Sequence, residues 1–201
     1  MKHVRITSEQ DSKQIADLRI SEYQSSDDFK LVKSNFLKNN KSKGEAITLG
    51  VWNEQDEVIA TLVLIFVDDI RKAEQKIEST IPTKISFPAL IFRKAATKQA
   101  YRKKGLNQLL RYYSIKSALE CGIHSLLSPV FEHATRTKFM EKIGYRFYSP
   151  LQISKDKLIP NTVRTLAVLN RDAMDNALRT IENSIPSLIK EYPWKGGSII
   201  F

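Results

Sequence analysis

Three basic side chains and a glycine, Arg102-Lys103-Lys104-Gly105, stand directly ahead of an apolar stretch at helical spacing that begins at Leu106. A helix starting there leaves its first backbone N–H groups without intrahelical acceptors and turns the positive end of its dipole toward the basic residues. Gly105 lets a ligand come close to the backbone. The segment from Arg102 to Asn107 is therefore a candidate anion site, and a diphosphate is its natural occupant. Other chemistry-bearing patterns are sparse. Three histidines and a single cysteine, none at metal-ligand spacing, argue against a zinc site. Neither a Gly-x-Ser-x-Gly nucleophile elbow nor a Walker loop occurs. Cys121, on an apolar helix face, reads as a core residue.

The elements that must position this loop follow from periodicity. Residues 3–6 read as a first strand, and Ile15, Leu18 and Ile20 mark an amphipathic helix. A second helix is predicted from Asp27-Asp28, acidic residues suited to a helix start, carrying Phe29, Leu31, Val32, Phe36 and Leu37. Residues 46–52 and 58–67 are β-rich runs joined by Asn53-Glu54-Gln55-Asp56, which predicts an antiparallel hairpin. A charged helical insertion over 70–79 precedes the apolar run 87–92. Past the basic loop, Leu106, Leu109, Leu110, Tyr113, Ala118 and Cys121 recur on one helix face, with Arg111, Lys116 and Glu120 on others. Gly122 ends that helix. The pattern then predicts a strand at 124–128, a helix over 132–143 ended by Gly144, strands at 145–148 and 163–169, and a C-terminal helix from Asp172 to Leu188. The tail from Trp194 to Phe201 is unusually apolar and can pack back on the domain or against a second subunit as a homodimer contact.

Composition narrows the class. With 201 residues, 42% hydrophobic and 27% charged, the chain is expected to form a single globular domain over 1–201 rather than a disordered one. No apolar run approaches the roughly 20 residues of a membrane-spanning helix, and the N-terminus lacks the apolar stretch of a secretory signal. A lone cysteine fits a reducing compartment, so a cytoplasmic location is expected. The net charge of +10 favours anionic partners: nucleic acid, an anionic cofactor or an acidic carrier protein.

The loop from Tyr101 to Leu110 resembles the acyl-CoA signature of GNAT acyltransferases, Arg/Gln-x-x-Gly-x-Gly/Ala at a helix start. Phe139-Met140-Glu141-Lys142-Ile143-Gly144-Tyr145-Arg146-Phe147 resembles that family's later helix-to-strand stretch, Tyr-Glu-Lys-Leu-Gly-Phe, in the right order and at a fitting separation. The resemblance implies an α/β (α+β) fold with a mixed, mostly antiparallel central sheet flanked by helices. It also implies transfer of an acyl group from acyl-CoA, acetyl-CoA or longer, to the amine of a small molecule or peptide. Ala95, Ala96 and Thr97 would offer backbone groups to the acyl carbonyl and pantetheine, while Arg102, Lys103, Lys104, Gly105, Leu106 and Asn107 would wrap the phosphates.

The sequence departs from the family pattern at three positions. Lys103 stands where glycine is common, Asn107 where glycine or alanine is usual, and Met140 where many members carry a tyrosine acid. Residues 87–97 hold no carboxylate, which leaves Glu132 and His133 as candidate bases, and Tyr145, Tyr148, Tyr112 and Tyr113 as candidate acids that spacing does not separate. Residues 90–96 with Tyr101-Arg102 also resemble N-acyl amino acid synthases and acyl-homoserine-lactone synthases, whose donor is an acidic acyl-carrier protein. Two other classes stay open: a basic nucleic-acid-binding module using Arg111-Tyr112-Tyr113, and a GNAT fold that binds acyl-CoA without catalysis.

Overall fold

The computed structural model describes residues 1–24, 46–131, 134, 136–148, 151 and 164–199. The element order is β1 (His3–Ile6), α1 (Ser12–Gln24), β2 (Ala46–Trp52), β3 (Val58–Val67), α2 (Ile70–Ile77), β4 (Ala89–Thr97), α3 (Leu106–Glu120), β5 (Ser125–Phe131), α4 (Thr137–Lys142), β6 (Arg146–Tyr148), β7 (Arg164–Asn170), α5 (Arg171–Ser184) and α6 (Pro186–Glu191). One sheet runs β1-β2-β3-β4-β5-β7-β6. Its strand pairs are antiparallel except β4 with β5, as the predicted mixed, mostly antiparallel class requires.

The hairpin forms where the β-rich runs meet polar turn residues. Asn53 Oδ1 accepts from the Gln55 and Glu57 N–H groups, both at 3.0 Å, and thereby closes the turn between β2 and β3. β3 is apolar at nearly every position because both of its faces are covered. Leu62 and Leu64 join Leu109, Leu110, Ala118 and Ile181 from α3 and α5 in the larger core. Val63, Ile65 and Val67 face the other way, onto Ala73 and Ile77 of α2. Ile15 and Leu18 of α1 pack on Trp52, Val58 and Ala96.

Several expectations are corrected. The helix predicted over 132–143 begins only at Thr137. The single helix predicted to Leu188 is two, because Pro186 disfavours helical backbone at the preceding residue and Ile185 sits at φ −135°, ψ 42°. Cys121 is exposed, just past α3, and its thiol donates to the Ile199 carbonyl instead of packing in the core. Arg111, expected on an outer face, is 2% exposed. The apolar tail packs back: Val4 N–H donates to the Pro193 carbonyl at 3.0 Å, Lys195 N–H donates to the Val4 carbonyl at 2.7 Å, and Ile199 is buried. The helix predicted from Asp27 lies outside the described residues.

Candidate functional site

Parallel strands β4 and β5 are paired only at Ala89–Ser125, Leu90–Leu126 and Ile91–Leu127. Beyond these the strands separate, although β4 stays paired to β3 as far as Thr97 and β5 to β7 as far as Phe131. The sheet is thus split in its middle at the carboxyl ends of its one parallel pair. That position, where the strand order changes direction, is where open sheets place ligands.

One wall of the split is distorted. The β3–β4 register passes from Thr61–Ala96 to Val63–Arg93, setting both Lys94 and Ala95 against the single residue Leu62. Lys94 takes φ +50°, a left-handed backbone that costs a side-chain-bearing residue on the order of 1 kcal/mol. Such a bulge bends its strand and re-aims its neighbours, and bulges gather beside active sites. Burial, followed by the positive charges of Arg19 and Arg93, pushes the Lys94 amine down to about 8. The Ala95 carbonyl accepts from the Tyr23 hydroxyl at 3.1 Å, and the Thr97 carbonyl accepts from Arg102 Nε at 3.4 Å. Ala95, Ala96 and Thr97 thus lie on β4 at the wall of the split, with the Ala95 and Thr97 carbonyls already engaged.

β4 then leads through a single tight turn, Gln99–Tyr101, into the basic loop. Lys103 has φ +62° and Gly105 φ +81°. The position where the family resemblance expects glycine does adopt glycine-like backbone, held here by a lysine. A close approach also requires Gly105, since a Cβ there would meet Ile185 Cγ2 at 3.1 Å. The first helical bond of α3 runs from Leu109 N–H to the Gly105 carbonyl at 2.9 Å. The Leu106, Asn107 and Gln108 N–H groups are consequently the open donors of the first turn. Alternating left-handed residues beside a helix start make a concave set of N–H groups of the kind that holds phosphate.

Arg102 turns back to α1 and bonds Glu22 at 2.6 Å. Lys104 Nζ lies 5.0 Å from the centre of the Tyr101 ring, Lys103 is exposed, and Leu106 is in the core. Asn107 points inward, where its Oδ1 accepts from Arg111 Nε at 3.2 Å, so it does not narrow the cradle.

Arg111, which the helical pattern set on an outer face, is buried. From α3 it reaches beneath the split, donating to the Tyr145 hydroxyl at 3.1 Å and to Ser128 Oγ of β5 at 3.5 Å, with its guanidinium 5.3 Å from the Phe92 ring centre. The i, i+4 pair Asn107/Arg111 was the available signal. Tyr145 is 4% exposed; burial raises the pKa of its hydroxyl, while the charge and hydrogen bond of Arg111 pull it back down. Met140 and Tyr145 both pack in the larger core, and of the two Tyr145 has its hydroxyl bonded to Arg111. Glu132 and His133 lie outside the described residues. Among the described residues no group of metal-ligating side chains occurs, and no helix is long and apolar enough to cross a membrane.

No protein-family model and no curated protein matches the sequence. Solved structures do match its shape. Arabidopsis thaliana NAA60 in complex with acetyl-CoA superposes with a TM-score of 0.63 at 12% identity, covering 85% of this chain and 99% of that one. A GNAT-family acetyltransferase from Staphylococcus aureus Mu50 gives 0.60 at 13% identity, covering 85% and 99%. One from Streptococcus agalactiae 2603 gives 0.59 at 14%, covering 85% and 95%. The seven-stranded split sheet, with its N–H cradle at the start of α3, has the fold of the GNAT acetyltransferases.

Proposed function

We propose that this chain, working as one domain, is an N-acyltransferase that uses acyl-CoA as donor and an amine as acceptor. The observation that carries this reading is the continuity of the split between β4 and β5 with the N–H cradle formed by residues 103–108. A pantetheine arm is a narrow, amide-bearing chain, and the edge of β4 that parts from β5 beyond Ile91 suits it. A diphosphate suits the cradle, which offers several N–H donors; the single phosphate of an acyl-carrier protein would use fewer of them, so CoA is the donor proposed. The left-handed Lys103 and Gly105 are the structural support for this fit.

Bound acyl-CoA supplies a thioester whose carbonyl carbon the amine attacks. The chain's own contributions are positioning and charge. The Leu106, Asn107 and Gln108 N–H groups hold the phosphates, and the backbone of the β4 bulge orients and polarises the carbonyl oxygen. Tyr145 is the proposed proton donor to the departing sulfur. Its hydroxyl accepts from Arg111, which fixes its direction and leaves its own proton free to be given. No observation favours the nucleic-acid reading, because Arg111 and Tyr113, which supported it, are buried.

The test is thiol release from acetyl-CoA and from a long-chain acyl-CoA across a set of amines, with thermal stability measured against each donor. A ligand that binds only the folded chain raises the midpoint. Tyr145→Phe is expected to keep the donor-induced shift and to lower kcat by about 10²-fold. No shift with any CoA species, in a folded protein, would remove the donor site; an unchanged kcat in Tyr145→Phe would remove the assigned acid.

A further inference from the structure

Positive charge gathers at the open end of the split. Arg19 and Tyr23 arrive from α1, Arg93 and Lys94 from β4, Arg136 from the turn before α4, and Arg164 from the start of β7. Hydrogen bonds and ring contacts fix the cluster's place. Tyr23 donates to Ala95 on the bulge, Arg19 Nε donates to Thr61 Oγ1 at 3.4 Å beside the Thr61–Ala96 pair, and the Arg164 guanidinium lies 5.1 Å from the Phe131 ring centre at the end of β5.

These groups act on one another. Burial raises the Tyr23 hydroxyl, against the pull of Arg136, Arg19, Arg93 and Arg164 together. Burial pushes Arg19 down to about 10, and Arg136 is lowered first by burial and then by the charge of Arg111. Gathering like charges where water is scarce is unfavourable unless it serves a purpose. Part of it has a structural use, since Arg93 donates to the Lys76 carbonyl in the last turn of α2, where a cation is favoured, and feels Glu78. Arg136 has no such use among the described residues, for its Nε is buried with no hydrogen-bond partner there. Arg93, Lys94, Arg136 and Arg164 are half-buried, so the cluster remains open to a small solute.

We propose that this cluster is an oxyanion subsite, with Arg136 as its principal ligand, and that the acceptor is an amine carrying a carboxylate or a phosphate. Guanidinium groups favour both through paired, charge-assisted hydrogen bonds. The Tyr23–Ala95 bond places the subsite beside the bulge, so an anion held there leaves a nearby amine close to the carbonyl site. The word acceptor rests on the acyl-transfer reading above; the anion subsite does not.

Matched acceptors test it: glycine against glycinamide and phosphoethanolamine against ethanolamine, with acetyl-CoA at low salt. At least one anionic amine is expected to exceed its neutral partner by about tenfold or more in kcat/KM, and which pair responds separates carboxylate from phosphate. In Arg136→Gln that ratio should collapse through KM, with partial recovery in Arg136→Lys. Equal rates for the charged and neutral members of both pairs overturn the proposal. If no amine is turned over, the transfer reading fails, and the subsite is still judged by calorimetric titration with sodium phosphate and with glycine. Binding at least about tenfold weaker in folded Arg136→Gln, or in Arg164→Gln should that variant not fold, upholds it. Equal binding in wild type and variant, or none in wild type, overturns it.

Discussion

Lys94 carries the most legible consequence at the level of one side chain. Its folded amine titrates near 8 against an ordinary 10.5. Below about 8 both folded and unfolded chains hold the proton, and the full cost of burying it opposes folding. Between 8 and 10.5 the unfolded chain holds more protons, so stability rises with pH across that window. Lys94→Met should be more stable than wild type at pH 7, and the advantage should shrink by pH 9.5, as read from urea midpoints. A constant difference would mean that the amine is well solvated. Lys94 was not legible in advance, because its character comes from burial at a bulge with positive φ and then from the charge of Arg19, a residue distant in sequence that is 0% exposed. Arg111 was misread for a related reason. A basic residue in a helix is ordinarily solvated, and only the gap between β4 and β5 gives it somewhere polar to go.

Among the elements, the start of α3 is where sequence and structure agree best. A glycine between a basic run and an apolar helix implies a tight, donor-rich turn, and both left-handed residues lie there. Gly105→Ala should cost about 2 kcal/mol, from its positive φ and from the contact with Ile185. Lys103→Gly should stay within about 0.5 kcal/mol of wild type, because relief of the left-handed backbone and the added freedom of the unfolded chain oppose each other. Thermal melts of the two variants check both values, and a strongly destabilised Lys103→Gly would show that the lysine side chain matters more than its backbone. The β2–β3 hairpin was legible because Asn53 supplies the turn chemistry locally. The break between α5 and α6 was readable from Pro186 but was hidden by an apolar pattern that continues on both sides of it. Glu132, His133 and the helix predicted from Asp27 fall outside the described residues.

At the scale of the whole molecule, the split divides the sheet into β1–β4 on one side and β5, β7 and β6 on the other, joined along the ladder by three residue pairs. Periodicity revealed most of the strands but not which pair would part, since separation depends on what lies beneath. In mechanical terms the sheet is two plates sharing a short seam, with Arg111 bridging underneath from α3 to Ser128. A ligand lying in the gap touches both plates and acts as a clasp. Hydrogen exchange should then slow on saturation with acetyl-CoA over residues 92–97 and 128–131 together, while β1 and β2 exchange as before. Slowing on one plate alone would place the ligand on a single wall. A clasped sheet also has a further property: the chain resists being pulled or unfolded between its halves most strongly while it holds its donor, so its sturdiness follows its state of loading.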